Sequence, residues 1–157
     1  MKTASIQEIK QELSALSPKE VLEYCLRLTK YKKENKELLT YLLFEAHDEN
    51  GYIENVKNEM DESFRELPKA NLYHTKKGLR KILKTLGKYG KHTGSKQAEV
   101  EMLIHFCKAL KNSGIPIHRS TSLTNLYNQQ VKKLNSLIQL LHEDLRYDYT
   151  KQVEQLA

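Results

Sequence analysis

The sequence predicts an all-α fold of about seven helices joined as antiparallel hairpins. Three observations carry that expectation. Apolar residues recur three and four apart along most of the chain, the spacing of one helix face. No stretch alternates apolar and polar residues with β-branched enrichment, so strand signals are nearly absent. Breakers are few, 6 Gly and 3 Pro in 157 residues, and Ser17-Pro18, Asn50-Gly51, Leu67-Pro68 and Ser113-Gly114 punctuate the periodic runs.

Ile6, Ile9, Leu13 and Leu16 mark a short first helix. Ser17-Pro18-Lys19-Glu20 then reads as a capping box with proline at the first helical position, where Ser and Glu satisfy each other's orphan amides. The second helix carries Val21, Leu22, Cys25, Leu26 and Leu28, and the third follows from about Asn35. In 38–46 only Thr40 and Glu45 are not apolar, which predicts a central helix buried nearly all round. Asp48-Glu49-Asn50-Gly51 ends it. A fourth helix, striped by Ile53, Val56, Met60 and Phe64, stops at Leu67-Pro68.

Asn71 is the expected cap of a fifth helix running to about Gly87, with Gly87–Gly94 read as a loop. Ser95 caps a sixth helix, in which Val100, Leu103, Ile104, Cys107 and Leu110 share a face. Asn112-Ser113-Gly114 followed by Pro116 is a strong stop. The last helix starts near Thr121. Its Tyr127, Val131, Leu134, Ile138, Leu141 and Leu145 alternate four and three apart, and Tyr149, Val153 and Leu156 continue the pattern, either directly or after a break near Tyr147. Such a seam serves either a long helix packed along the domain or a homodimer coiled through 127–156.

The expected organisation is one helical domain over 1–157, with an N-terminal helix at 1–16, a core at 17–145 and a C-terminal extension or helix continuation at 146–157. A chain of this size buries roughly 70% of its unfolded surface and needs no disulfide or metal to hold a core. Hairpins starting near residues 18, 52 and 95 resemble the paired helices of HEAT or armadillo repeats. With no repeat consensus among them, an irregular helical bundle is the alternative.

The N-terminus lacks an apolar signal-peptide region, and the longest apolar-dense stretch is too short to span a bilayer. Cys25 and Cys107 sit in apolar helical patterns, so buried free thiols in a reducing, cytoplasmic setting are expected, a single disulfide being the alternative.

The charge is unevenly placed. Lys+Arg total 26 and Asp+Glu 20, a balance of +6. Residues 67–98 hold no acid and nine bases: Lys69, Lys76, Lys77, Arg80, Lys81, Lys84, Lys88, Lys91 and Lys96. The other 17 basic and 20 acidic residues balance at −3. On a helix Lys77, Lys81, Lys84, Lys88 and Lys91 share a narrow arc, with Arg80 flanking and Leu79, Ile82, Leu83 and Leu86 opposite. Like charges four apart repel, so a helix shaped by stability alone would intersperse Glu.

This points to a surface for an anionic partner, either RNA or another nucleic acid held through its phosphates, or an acidic protein segment. The candidate binding residues are Tyr73, Lys77, Arg80, Lys81, Lys84, Lys88 and Lys91, with Ser95 and Lys96 at the start of the sixth helix. Tyr73 would stack on an unpaired base. Against this stands a plain solvated face, or one neutralised by the acidic fourth helix with Glu54, Glu59, Asp61, Glu62 and Glu66.

Catalytic and metal signatures are not found. There is no GxxxxGK[ST], GxGxxG, GxSxG or HExxH. Gly87-Lys88-Tyr89-Gly90 matches the bare GxxG of KH domains, whose fold needs strands. Asp48, Asn50 and Gly51 fit part of a calcium loop that lacks its first oxygen ligand and its closing Glu. Glu101 and His105 are helical neighbours, better read as a hydrogen-bonded pair than as ligands, and His142-Glu143-Asp144 as solvated surface. The expectation is therefore a binding module without metal, cofactor or catalytic residues, the alternative being a protein–protein adaptor or scaffold of helical hairpins, dimeric through the C-terminal helix.

Overall fold

The computed structural model describes residues 1–156. Among them are eight α-helices and no strand: α1 (Ile6–Ala15), α2 (Pro18–Tyr31), α3 (Lys33–Thr40), α4 (Glu49–Arg65), α5 (Leu72–Thr93), α6 (Lys96–Asn112), α7 (Thr121–Ile138) and α8 (Glu143–Glu154). A π-helical turn, Tyr41–Glu45, continues α3, and a 3₁₀ turn, Ile117–Arg119, precedes α7. Contacts divide the chain into two compact units, the first covering 1–44 and the second beginning at Glu45.

The first unit holds α1 to α3. Both of its leading helices open with full capping boxes. The Ser5 amide donates to Glu8 at 2.6 Å, and the Ser17 amide donates to Glu20 at 2.9 Å, while each serine oxygen accepts the Glu amide in return. α2 and α3 are separated only by Lys32 and face each other across Cys25, Leu28, Leu38, Leu39 and Leu42. The Asn35 side chain donates to the Leu28 carbonyl at 2.7 Å and ties the turn.

Only Tyr41 of these 44 residues is buried. The expected central, enclosed helix at 38–46 is thus corrected: Leu42, Leu43 and Phe44 are more than half exposed, Phe44 at 65%. Two short facing helices cover little of each other, so even apolar residues between them stay largely in solvent. Cys25 is exposed for the same reason, against the expectation of a buried thiol, whereas Cys107 is buried; both are free.

The second unit is a bundle built around α6, which packs against α4, α5, α7 and α8. Eight residues of α6 are buried, including Val100, Met102, Ile104 and Phe106, while Lys96, Lys108, Lys111 and Asn112 remain exposed along one side. Against it stand the α4 stripe Ile53, Val56, Met60 and Phe64, then Leu79, Ile82 and Leu86 of α5, and Leu123, Leu134 and Ile138 of α7. Phe64 and Phe106 meet with ring centroids 5.5 Å apart. The second unit is thus an all-α helical bundle in which α6 meets the helices on both sides of it in the chain.

Two further boundaries differ from expectation. α5 runs through Gly87 and Gly90 to Thr93 and stops at Gly94, whose φ of 61° is the left-handed cap glycine tolerates. The supposed 87–94 loop is helix. The long last helix is broken at 139–142, where His142 starts α8 by accepting the Asp144 amide. Of the two uses expected for the 127–156 seam, packing within the chain is the one seen. Leu134, Ile138, Leu141, Tyr149, Val153 and Leu156 lie in the chain's own core, and the Tyr127 hydroxyl donates to the Leu156 carbonyl at 2.7 Å.

Candidate nucleic-acid interface

The fold turns the basic segment into one continuous helical surface. Asn71 accepts the Tyr73 and His74 amides and sets the start of α5. Thr75, fully buried, packs its hydroxyl against the Pro68 and Asn71 carbonyls and fixes the turn from α4. Leu79, Ile82 and Leu86 anchor the inner side in the core. At about 100° per residue, Tyr73, Lys77, Arg80, Lys81, Lys84, Lys88 and Lys91 then occupy an arc of roughly 100° on the outer side. Fourteen residues separate Lys77 from Lys91, so the stripe is about 21 Å long at 1.5 Å per residue. All seven are exposed except Lys88, which is half-buried; Tyr73, at the head of the stripe, is 73% exposed.

The acidic fourth helix does not neutralise the stripe's exposed cations. Glu54 pairs with Lys57 at 2.7 Å, Asp61 with His105 at 2.7 Å, and Glu59 accepts the Tyr89 hydroxyl at 2.9 Å. Among the described residues Lys77, Arg80, Lys81, Lys84 and Lys91 form no ion pair. Between α4 and α5 lies a cleft of about 380 Å³ floored by Val56, Met60, Leu67 and Ile82, with Lys81 on its rim.

Ser95 and Lys96 do not join the stripe. The Ser95 hydroxyl accepts the Ala98 amide and donates to Glu49 at 3.0 Å, and Lys96 pairs with Glu99 at 2.9 Å. Two carboxylates therefore border the start of α6, and an anion there would meet both.

The sequence reading missed a second electropositive element. Residues 102–142 also contain no acid, and they carry Lys108, Lys111, Arg119, Lys132 and Lys133. α7 lies within this stretch and borders α5 on the side away from α4. Lys76 donates to Ser122 across the junction, and a groove of about 290 Å³ runs between the two helices. The signal was present as a second acid-free run, hidden by its lower basic density.

Other polar residues knit the bundle together. The Tyr149 hydroxyl donates to Glu101 at 2.7 Å, the Gln97 amide donates to Tyr149 at 3.1 Å, and Lys57 lies 3.8 Å from Glu101. Burial, and then the bond to Glu101, push the Tyr149 phenol up to about 12. Glu101 and His105 each reach another helix and do not pair as expected, since Asp61 takes His105. Among the described residues no group of three or more His, Cys, Asp or Glu is placed to hold a metal ion, and no helix is long and apolar enough to cross a membrane. No family model, curated protein or solved structure matches the chain.

Proposed function

We propose that the protein is a binding module for single-stranded nucleic acid, RNA above all, and that α5 is its phosphate-binding face. The observation that carries this reading is a stripe of exposed cations with no acidic partner on the adjoining acidic helix. Such a stripe releases counterions from a phosphate chain and gives salt-dependent affinity. Tyr73 at its head offers a ring to an unpaired base, the feature by which proteins favour single strands.

A second reading is an acidic protein segment whose carboxylates meet the exposed lysines and whose apolar side chain enters the cleft beside Lys81, although Glu59 and Glu66 also line that cleft.

Titration of labelled single-stranded RNA across salt concentrations tests the first reading. Engagement of about five cations gives a log–log salt slope near −3.5 for a single strand. The triple variant Lys77→Glu, Lys81→Glu, Lys84→Glu is expected to abolish binding at physiological salt. No binding by the unaltered protein at low salt, or unchanged binding by the triple variant, overturns the proposal. Displacement of the RNA by an acidic peptide at equal charge concentration moves the assignment to the second reading.

A further inference from the structure

We infer that the α5–α7 groove is a base-reading subsite, taking an unpaired nucleobase from a strand whose phosphates lie on the α5 stripe. This rests on the proposed function and adds to it a site for the base itself.

The groove has the make-up such a subsite needs. Its floor is apolar, formed by Leu83 of α5 and Leu126 of α7. Its α7 wall presents carboxamides. At helical spacing Ser122, Asn125, Gln129 and Lys133 fall within an arc of roughly 80° on α7. Asn125 and Gln129 are exposed and have no hydrogen-bond partner among the described residues. Gln130 donates to the Leu126 carbonyl at 3.3 Å. A carboxamide carries one acceptor and two donors, so it pairs with the mixed edge of a base, whereas a phosphate takes only donors.

Position and size agree. Arg80 belongs both to the stripe and to the groove wall, so a phosphate held at Arg80 brings its own base to the groove mouth. The groove continues past Leu83 and Gln130 toward Gly87 and Lys133. Its volume of about 290 Å³ is at the lower bound of small-molecule sites, which suits one nucleoside. The cleft on the opposite flank of α5 is the weaker candidate for a nucleotide, because Glu59 and Glu66 line it. The α5–α7 groove itself has Lys76 and Arg80 on its wall, and Lys133 beyond. Glu99 is the one acid lining its continuation, and Lys96 pairs with it.

The test compares single-stranded RNA with the same ribose-phosphate chain lacking bases. The double variant Asn125→Ala, Gln129→Ala is expected to weaken base-bearing RNA about tenfold, the scale of one good amide–base contact, and to leave the abasic chain unaffected. Both side chains are exposed and unpartnered, so the variant's thermal unfolding should match that of the unaltered protein. The triple lysine variant should weaken both ligands. Equal weakening of both ligands by the double variant, or of neither, overturns the subsite while the phosphate-binding reading stands. Failure of the unaltered protein to bind either ligand overturns both.

Discussion

Single residues here do their work by satisfying or excluding hydrogen bonds, and Thr75 is the clearest case. It is fully buried, and its hydroxyl meets two carbonyls of the α4–α5 turn. Thr75→Val keeps the shape and removes the donor, so the Pro68 carbonyl loses its side-chain partner while Asn71 keeps the Thr75 amide. The expected loss is about 0.5–1.5 kcal/mol by urea unfolding, and a neutral result would show that water replaces the hydroxyl at the turn. Cys107 and Tyr149 set a pH limit. Burial pushes the Cys107 thiol up to about 12 from its ordinary 9.0, and Tyr149 moves to about 12 from 10.0. Both folded groups hold their protons longer than the unfolded chain does. Their contribution is therefore complete below about pH 9 and is lost as pH rises toward 12, at up to about 1.4 kcal/mol per pH unit for each group. Urea midpoints should fall from about pH 9 upward. Cys107→Val should delay the fall to about pH 10, where the Tyr149 contribution begins to go. At this scale the sequence showed the caps well: Ser17, Asn71 and Ser95 each accept amides as their residue types imply. It did not show partners across helices. Glu101 and His105 look paired by spacing, and only the fold brings Tyr149 and Asp61 within reach of them.

Helix α5 shows what local signals decide and where packing overrides them. Glycine inside a helix costs about 1 kcal/mol against alanine, so Gly87 and Gly90 read as the start of a loop. Gly90 is buried where α6 comes close, and a methyl group there would sit 2.7 Å from the Glu99 side chain. A side chain at Gly90 would force Glu99 to shift, and the helix continues until Gly94 ends it. The break at 139–142 was illegible for the opposite reason: Leu140 and Leu141 continue the apolar pattern, and the cap is a histidine. The uninterrupted α5 has a measurable consequence. Lys84 lies four residues from both Arg80 and Lys88, so two repulsive pairs meet at one side chain. Lys84→Glu turns both into attractions and is expected to stabilise the protein by about 0.5–1 kcal/mol at low ionic strength, with the gain shrinking as salt is added. The same change should weaken RNA binding. A variant that gains stability and keeps its affinity would mean that the stripe is only a solvated face.

Across the whole molecule, apolar content and burial do not coincide. The all-α class was legible because helical spacing runs almost the length of the chain. The position of the core was not, because periodicity records that a face is apolar and says nothing of what covers it. Leu42, Leu43 and Phe44 form the densest apolar run yet are exposed, while α6, less apolar along its sequence, packs against four helices. The two units should therefore differ in stability. Residues 1–44 contain three short helices and one buried side chain, and isolated helices of under about 12–15 residues are marginal in water. The second unit owns the contiguous core around Phe106, Cys107 and Leu110. Local opening follows buried apolar contact, so hydrogen exchange on the full chain should separate the two. Amides of α1 to α3 are expected to exchange orders of magnitude faster than those of α6, whose protection should approach the global unfolding free energy. Equal protection across α2 and α6 would show that residues 1–44 unfold only together with the bundle.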